Sequence, residues 1–299
     1  MSQQTSEPVA SNSPVAEAAT SKSERYLAFA ILTITAIVMI AMFRLVYPVG
    51  VDWAETYYPA MRHLGAPYAH SDLAGLPWIL FFVPHALLPL QWGNALNIFL
   101  NISVPLLYIR VNQGGWFAIL IVFTSSLFFD LARTNNVDWI PLVAFLLPPI
   151  WGLPLLLAKP QAVGGAALIW WKRQRFSVRM LAPMVVIIVA AIVIWGTQPI
   201  DGIRDVNPGN TAWNFAPWPF FIPLGLYLLY RGFKDDDEVL AAAATPFMVP
   251  YLAPYSLVAL LTVIACKYRR EALYIHLAFW MHFIVYSRRL EIILNECGC

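Results

Sequence analysis

Two carboxylates lie three residues apart just after the first long apolar run of this 299-residue chain. The stretch reads VDWAETYYPAMRHLGAPY, residues 51–68, and contains Asp52 and Glu55. In a helix these two side chains share a face. A partly buried carboxylate at a membrane surface can act as a general base, and two carboxylates can instead hold a divalent cation. A solvated connector whose acids keep it outside the membrane also accounts for them, and composition alone favours that interpretation.

A single lysine interrupts the apolar stretch LLLAKPQAVGG, residues 155–165. An ionisable group at membrane depth is costly and indicates a functional site by default. The ammonium of Lys159 suits a phosphate oxygen, with Gln161 beside it, and Pro160 breaks the helix there. Alternatively, Lys159 extends its charge to the lipid headgroups. Arg110, which ends another apolar run on the same predicted outer side, is a second phosphate candidate.

Two further polar positions stand in apolar surroundings. The stretch DLARTNNVDW, residues 130–139, includes Asn136 and could hydrogen-bond a polyol. Because Asn and Asp favour turns, an ordinary turn is the favoured interpretation, and counting spans puts it on the cytoplasmic side, away from Asp52. His85, in FFVPHALLPL, is expected to be buried and hydrogen-bonded to a carbonyl, and it is also a candidate for substrate binding.

The composition indicates that helices in a membrane must position these residues. The chain is 60% hydrophobic and 12% charged, whereas soluble domains carry about 25% charged residues. With a mean hydropathy of +0.63, we expect an all-α integral membrane protein in contact with lipids. Twelve Trp and thirteen Tyr suit the membrane interfaces. The clustered bases indicate topology and not nucleic-acid binding.

The apolar runs predict about eight to ten transmembrane helices, with a short helix in an outer loop, residues 48–76. Residues 1–21 read as a disordered tail, residues 22–289 as one polytopic domain and residues 290–299 as a short C-terminal tail. The runs lie at 26–47, 76–90, 93–110, 116–132, 139–157, 160–171, 180–197, 216–231, 239–266 and 271–287. Several are shorter than the roughly 20 residues of a straight span, which is typical of broken helices around a cavity.

Basic residues set the predicted orientation. Lys22 and Arg25 favour a cytoplasmic N-terminus, and KRQRFSVR, residues 172–179, also belongs inside. RGFKDDDE at 231–238 and KYRR at 267–270 can both lie inside only if 239–266 enters the membrane and returns as a hairpin. We expect the acids of the DDDE run to form a solvated loop.

Several function classes lack their motifs. The chain contains no Walker A loop, GxGxxG, HExxH or nucleophile elbow, which disfavours nucleotide-driven and zinc-protease chemistry. Its three cysteines do not form a disulfide framework. We therefore predict no cofactor and no resident metal, apart from the divalent cation that Asp52 and Glu55 could hold.

The order of several motifs resembles the GT-C fold glycosyltransferases and, more narrowly, glycosyltransferase family 87. These are Asp52-Trp53, then YYPA at 57–60, GAPY at 65–68, LPWILFFVPHALLPLQWGNALNIFLN from Leu76, and AKPQAVGG from Ala158. TPFMVPYLAPYSLVALL from Thr245 is similar to the late span of the family. The resemblance covers residues 25–265. The chain departs from the family where Thr134-Asn135-Asn136 replaces a Gly-Gln pair and Tyr255-Ser256 replaces a late Tyr-Asp.

This resemblance implies an inverting transferase that moves a mannose-like hexose or a pentose from a polyprenyl-phosphate donor to a lipid or glycan acceptor. Asp52 would take the proton of the acceptor hydroxyl, and Lys159 and Arg110 would face the donor phosphate. Glu55, Tyr57, Tyr58 and Arg62 would orient the sugar or the acceptor. The features favour a bacterial plasma membrane. The alternative is a non-catalytic polytopic membrane protein: a transporter, a lipid-carrier-binding protein or a scaffold that keeps the fold.

If the enzyme hypothesis is right, Asp52 and Lys159 must open into one cavity. If they lie at opposite faces of the membrane, the hypothesis fails.

Overall fold

Prolines and glycines divide the apolar runs into shorter helices than the sequence suggests. The computed structural model describes residues 22–73, 76–196, 198 and 214–286, and none of these forms a strand. The predicted tails at 1–21 and 290–299 lie outside the described residues. Three described helices are long and apolar enough to span a membrane, namely Tyr26–Val46, Leu90–Val111 and Val178–Trp195. A bent pair, Gly115–Phe123 with Ser126–Thr134, raises this number to four if it is one span.

Most of the described helices are short, and the three longest are the first, the third and the last. In chain order the α-helices are α1 Lys22–Val46, α2 Tyr58–Arg62, α3 Leu90–Val111, α4 Gly115–Phe123, α5 Ser126–Thr134, α6 Trp139–Leu146, α7 Pro149–Leu156, α8 Pro160–Val163, α9 Ala166–Arg173, α10 Ala182–Trp195, α11 Ile222–Asp235, α12 Glu238–Ala244, α13 Leu257–Lys267 and α14 Arg269–Tyr286. A π-helix spans Trp53–Tyr57, and 3-10 helices span Pro67–Ala69, Pro77–Phe82, Pro84–Leu87, Val178–Leu181, Thr245–Phe247 and Pro254–Ser256.

The chain divides into two compact units, Met1–Met39 and Ile40–Cys299. The described part of the first unit is the N-terminal portion of α1, whose large apolar side chains are exposed. Apolar side chains exposed all around a 25-residue helix suit a lipid environment. All contacts described below lie within the second unit.

One end of the second unit gathers charged side chains, and we call Lys172, Arg173, Asp236, Asp237 and Lys267 the charged end. Arg173 donates to Asp236 at 2.9 Å and also pairs with Glu238. Lys267 lies 2.7 Å from Asp237, whose carboxylate also accepts a hydrogen bond from Tyr268. The three segments that were predicted to be cytoplasmic therefore meet. The expected solvated loop holds for Asp235 and Asp236, which are exposed, but not for Asp237, which is buried. Asp236, Asp237 and Glu238 provide the counter-charges for these bases.

Three largely helical segments, residues 97–110, 159–172 and 255–267, extend from the charged end and have similar lengths. At 1.5 Å per residue, Lys159 lies about 20 Å from Lys172 and Tyr255 lies about 18 Å from Lys267. Asn97 lies about 20 Å from Arg110, which is near the loop where Arg269 donates to the Gly114 carbonyl. We call the other end, which holds Asp52, Asn136, Lys159 and Tyr255, the cavity end.

The run at 76–90 does not cross between these ends. It forms two 3-10 helices beside the outer loop, where Arg62 donates to the carbonyls of Leu87 and Leu88. Helix α3 therefore starts at the cavity end and finishes at the charged end. This corrects two expected positions, since Arg110 lies at the charged end and Asn136, after the bent pair α4–α5, lies at the cavity end.

The run at 139–157 is a short hairpin and not a single span. Leu147 and Pro148 separate α6 from α7, and a Cβ on Gly152 would lie 2.4 Å from the Ala144 carbonyl oxygen, so the two helices pack closely. Asp138 before α6 and Lys159 after α7 form an ion pair. The hairpin thus starts and ends at the cavity end.

The run at 239–266 forms the expected hairpin. It starts and ends at the charged end, whereas the α6–α7 hairpin starts and ends at the cavity end. Helix α12 leaves the charged end at Asp237, and α13 returns to Lys267. The tip between them includes Val249, Tyr251 and Tyr255, which line the cavity. One carboxylate fixes both arms, because Asp237 caps α12 through the backbone N–H groups of Val239 and Leu240 and pairs with Lys267 after α13.

We predict that Asp237→Ala lowers the free energy of unfolding by about 2 kcal/mol, because a helix cap and a buried ion-pair partner are lost together. Burial opposes ionisation of Asp237, but hydrogen bonds from Lys267 and Tyr268 outweigh it and hold the pKa of the carboxyl below its ordinary value. Its stabilisation is therefore present above the unfolded-state pKa, about 4, and is lost as the pH falls further.

Thermal unfolding in detergent measures this difference at neutral and at acidic pH. Asp235→Ala is the matched control, because Asp235 pairs with Arg231 on the helix surface, where both side chains are at least 40% exposed. Equal losses in the two variants would contradict the role of Asp237.

Candidate functional site

The outer loop folds as a helix that buries one face. Trp53, Tyr57, Ala60 and Met61 follow the spacing i, i+4, i+7 and i+8, and all four are buried. The Trp53 ring stacks on His85, with 5.0 Å between ring centroids. The first turns are a π-helix, a form that is frequent at functional sites. The opposite face turns Asp52, Glu55 and Thr56 towards a cavity.

Close backbone approach fixes the start of this helix. A Cβ on Gly50 would lie 2.4 Å from the Asn135 Cβ and 2.5 Å from the Thr134 carbonyl oxygen. The Gly50 N–H donates to the Asn94 side chain at 3.0 Å. Only a glycine lets the outer loop lie this close to the loop that follows α5.

Three asparagines on one face of α3 hold that loop. Asn94, Asn97 and Asn101 are spaced by three and four residues, so they share a face, and all are buried. Asn97 and Asn101 donate to the Asn136 carbonyl at 3.1 and 2.6 Å. Asn135 donates to both the carbonyl and the side chain of Asn94. Asn135 adopts φ 51°, a left-handed conformation that Asn tolerates.

The Asn136 side chain joins the charged groups of the site. Its Nδ2 donates to Asp52 Oδ2 at 2.5 Å, and its Oδ1 accepts from Lys159 Nζ at 2.8 Å and from the Tyr57 hydroxyl at 2.8 Å. An ammonium can only donate and an ionised carboxylate can only accept, so these two partners fix the orientation of the amide. Asn136 Nδ2 also lies 3.2 Å from the Tyr255 hydroxyl, which hydrogen-bonds Asp52.

The hydroxyl of Tyr57 acts as a neutral donor here. Burial, and after it the negative charges of Asp52 and Asp138, hold the pKa of Tyr57 well above its ordinary value. Tyr57 therefore stays protonated and supports Asn136 through its hydrogen bond. It is not a base.

Lys159 forms a buried ion pair with a residue whose role was not predicted. Lys159 Nζ lies 2.5 Å from Asp138 Oδ1, with side chains 6% and 0% exposed. Asp138 Oδ2 is buried and has no hydrogen-bond partner among the described residues. The lysine does not extend its charge to the lipid headgroups, because Asp138 and Asn136 compensate it inside the protein.

Asp52 and Lys159 line the same cavity, as the enzyme hypothesis requires. The cavity has a volume of about 730 Å³, within the usual range of small-ligand sites. Its polar side includes Glu55, Tyr57, Asp72, Asn136, Gln161, Tyr251 and Tyr255. Its apolar side includes Leu73, Leu76, Ile79, Leu157 and Val249.

Four predicted residues lie outside the lining. Tyr58 contacts the Arg62 guanidinium, and that arginine braces the backbone of residues 87–88. His85 is buried as expected, but its ring nitrogen hydrogen-bonds the Asn97 side chain at 3.2 Å and not a carbonyl. Arg110 lies at the charged end. Among the described residues no group of three or more His, Cys, Asp or Glu side chains is placed to hold a metal ion.

Tyr255, Tyr251, Asp72 and Asp138 were missed as site residues. Tyr251 and Asp72 carry no local signal, because loops distant in sequence bring them to the cavity. Tyr255 did carry one, since it stands where the resembled family has its late Tyr-Asp pair. Asp138 could have been found, because buried Lys159 requires a counter-charge and the mid-chain polar segment contains a suitable acid. The asparagine spacing on α3 was a second available signal.

We predict that Gly50→Ala destabilises the protein by about 1–3 kcal/mol, since the added methyl overlaps Asn135 and backbone atoms that cannot move freely. Thermal unfolding measures this loss. Gly65→Ala, in the same loop, is the matched control because a Cβ there meets nothing within 4 Å. If Gly50→Ala were as stable as Gly65→Ala, the close approach would be wrong.

We also predict that Lys159→Met lowers the free energy of unfolding by about 3–5 kcal/mol, because it leaves a buried carboxylate uncompensated. The double variant Lys159→Met, Asp138→Asn should recover most of that loss. Denaturant titration measures all three proteins. Lys172→Met is the control, expected to cost less than Lys159→Met, since its ion-pair partner Asp236 is exposed and its other contacts are the carbonyl and the ring of Phe233. A double variant less stable than Lys159→Met would contradict the ion pair's role.

Comparisons with known proteins identify no relative of this chain. No protein-family model, no curated protein and no solved structure matches it. The likeness to the GT-C glycosyltransferases therefore rests on the sequence motifs, and the chemistry of the site must be inferred from its own geometry.

Proposed function

We propose that this chain is a GT-C-like membrane glycosyltransferase that moves a sugar from a polyprenyl-phosphate donor to a lipid or glycan acceptor at the outer face. The observation that carries the proposal is the single cavity shared by Asp52 and Lys159, with Asn136 between them. This arrangement supplies a candidate base and a candidate phosphate site on one wall.

The position of Asp52 suits a general base. Its carboxylate is partly exposed to the cavity and accepts hydrogen bonds from Asn136 and Tyr255, which orient it. As the acceptor hydroxyl attacks, its proton passes to Asp52 and a new bond forms between its oxygen and the anomeric carbon. The bond from that carbon to the phosphate oxygen breaks, and the lipid phosphate leaves with the electron pair. Attack opposite the leaving group inverts the anomeric centre.

Lys159 suits the leaving phosphate. Its Nζ donates to Asn136 and Asp138, and an ammonium has three N–H groups, so one is left for a phosphate oxygen. The apolar lining formed by Leu73, Leu76, Ile79, Leu157 and Val249 suits the first isoprene units of the donor. Glu55, Gln161 and Tyr251, on the polar lining, are candidates to orient the sugar and the acceptor.

A second candidate function is a lipid-carrier-binding protein without transferase activity. The observation that favours it is the buried cation beside an apolar wall, which by itself suits an anionic lipid. In that case Lys159 would be required for binding and Asp52 would be dispensable.

We predict that Asp52→Asn lowers sugar transfer by about 10²–10⁴-fold, because an amide cannot accept the proton of the acceptor hydroxyl. Transfer from a radiolabelled polyprenyl-phosphate mannose or pentose to endogenous lipid acceptors in membrane vesicles is the measurement. Asp130→Asn is the control, since this acid pairs with Arg133 and does not line the cavity.

Expression and thermal unfolding of Asp52→Asn should match the wild type. Transfer by Asp52→Asn at the wild-type rate would exclude the proposed role of Asp52. Binding of the donor by wild type without any transfer would favour the lipid-carrier-binding function.

A further inference from the structure

We propose that Asp138 is the resident counter-ion of Lys159 and takes up one proton from solvent when an anionic lipid phosphodiester enters the cavity. This inference rests on the proposed function, because it requires that Lys159 receives the phosphate of the donor. It assigns to Asp138 a positioning role, since this residue acts through Lys159 and does not line the cavity.

The first step is the exclusive pairing of Asp138. One carboxylate oxygen lies 2.5 Å from Lys159 Nζ, and the other is buried without a hydrogen-bond partner among the described residues. The side chain is fully buried, so water does not compensate its charge. Ionised Asp138 therefore depends on Lys159.

The second step concerns the other charged or titratable groups, among the described residues, that act on Asp138. These groups are the carboxylates of Asp52 and Asp130 and the hydroxyls of Tyr57 and Tyr255. They are negative or neutral, so in this set Lys159 alone favours the ionised form of Asp138. Any ligand that takes up the charge of Lys159 removes the one compensation that Asp138 has.

The third step is the charge balance of binding. A phosphodiester brings one negative charge to Lys159, which then faces three anions: the ligand, Asp138 and, through Asn136, Asp52. A buried carboxylate without its counter-charge is costly, and protonation is the usual outcome. One negative charge and one proton enter together, so the net charge of the site does not change.

The proton goes to Asp138 and not to Asp52 because their environments differ. Asp52 is partly exposed and receives hydrogen bonds from Asn136 and Tyr255, whereas Asp138 is fully buried with one unpaired oxygen. A fully buried carboxylate with an unpaired oxygen gains most from becoming neutral, so the proton goes to Asp138. Asp52 therefore remains available as a base while the phosphate is bound.

The experiment uses methyl geranyl phosphate, a phosphodiester whose single charge does not titrate near neutral pH. Isothermal titration of the full-length protein in detergent, in two buffers of different ionisation enthalpy, measures the protons taken up. We expect about one proton per ligand, and binding that weakens close to tenfold per unit as the pH rises from about 7 to about 8. Geraniol, which lacks the charge, should show no proton uptake, and inorganic phosphate shows whether the lipid chain is needed.

Substitutions identify the residue that takes up the proton when the ligand binds. Asp138→Asn should abolish the uptake, flatten the pH dependence and bind more tightly than wild type at about pH 8. Asp130→Asn, the same change eight residues earlier in the chain, and Asp52→Asn should both keep the uptake. Uptake that persists in Asp138→Asn, or that disappears in Asp52→Asn, would overturn the assignment.

The two proposals fail in different ways. Binding with proton uptake but no sugar transfer would reject the glycosyltransferase function and leave the role of Asp138 intact. Sugar transfer with no proton uptake on phosphodiester binding would reject only the role of Asp138. Absence of phosphodiester binding at both pH values would reject the role of Asp138, and absence of sugar transfer as well would reject both proposals.

Discussion

A single amide side chain organises the cavity end. Asn136 accepts from Lys159 with its oxygen and donates to Asp52 with its nitrogen, so it keeps a cation and an anion apart by the width of one amide. Without such a spacer the two charges could pair directly and neutralise each other. The surrounding structure serves to hold this amide in place, through the asparagines of α3 below it and the close approach of Gly50 beside it.

Two hairpins of opposite direction explain how polar residues reach this depth. Helices α6 and α7 leave the cavity end and return to it, whereas α12 and α13 leave the charged end and return there. The turn between α12 and α13 contains backbone that is not helical, which is tolerated at membrane depth only where protein or a polar cavity surrounds it. Because Val249, Tyr251 and Tyr255 of this turn line the cavity, the cavity supplies these surroundings, whereas Leu147 and Pro148 in the turn of the other hairpin are exposed.

The sequence predicted Asp52 and Lys159 better than Asn136, which lies between them. Asp52 and Lys159 stood out because each interrupts apolar surroundings, and both line the cavity. Asn136 and Arg110 were assigned to the wrong ends because residues 76–90 were counted as a span. Counting 139–157 as one span was a second error that cancelled the first, so Lys159 was placed correctly. Hydropathy cannot separate a crossing from a hairpin of equal apolarity, because the difference depends on tertiary contacts such as Asp138 with Lys159.

Helix α13 joins the two ends as a stiff rod. One end lies beside the carboxylate of Asp237, and about 18 Å away Tyr255 contacts Asp52 and Asn136. A tilt of about 5° at the charged end displaces Tyr255 by about 1.5 Å, more than a hydrogen bond tolerates. The position of Tyr255 beside Asp52 is therefore geometrically tied to the ion pair of Asp237 with Lys267 at the charged end.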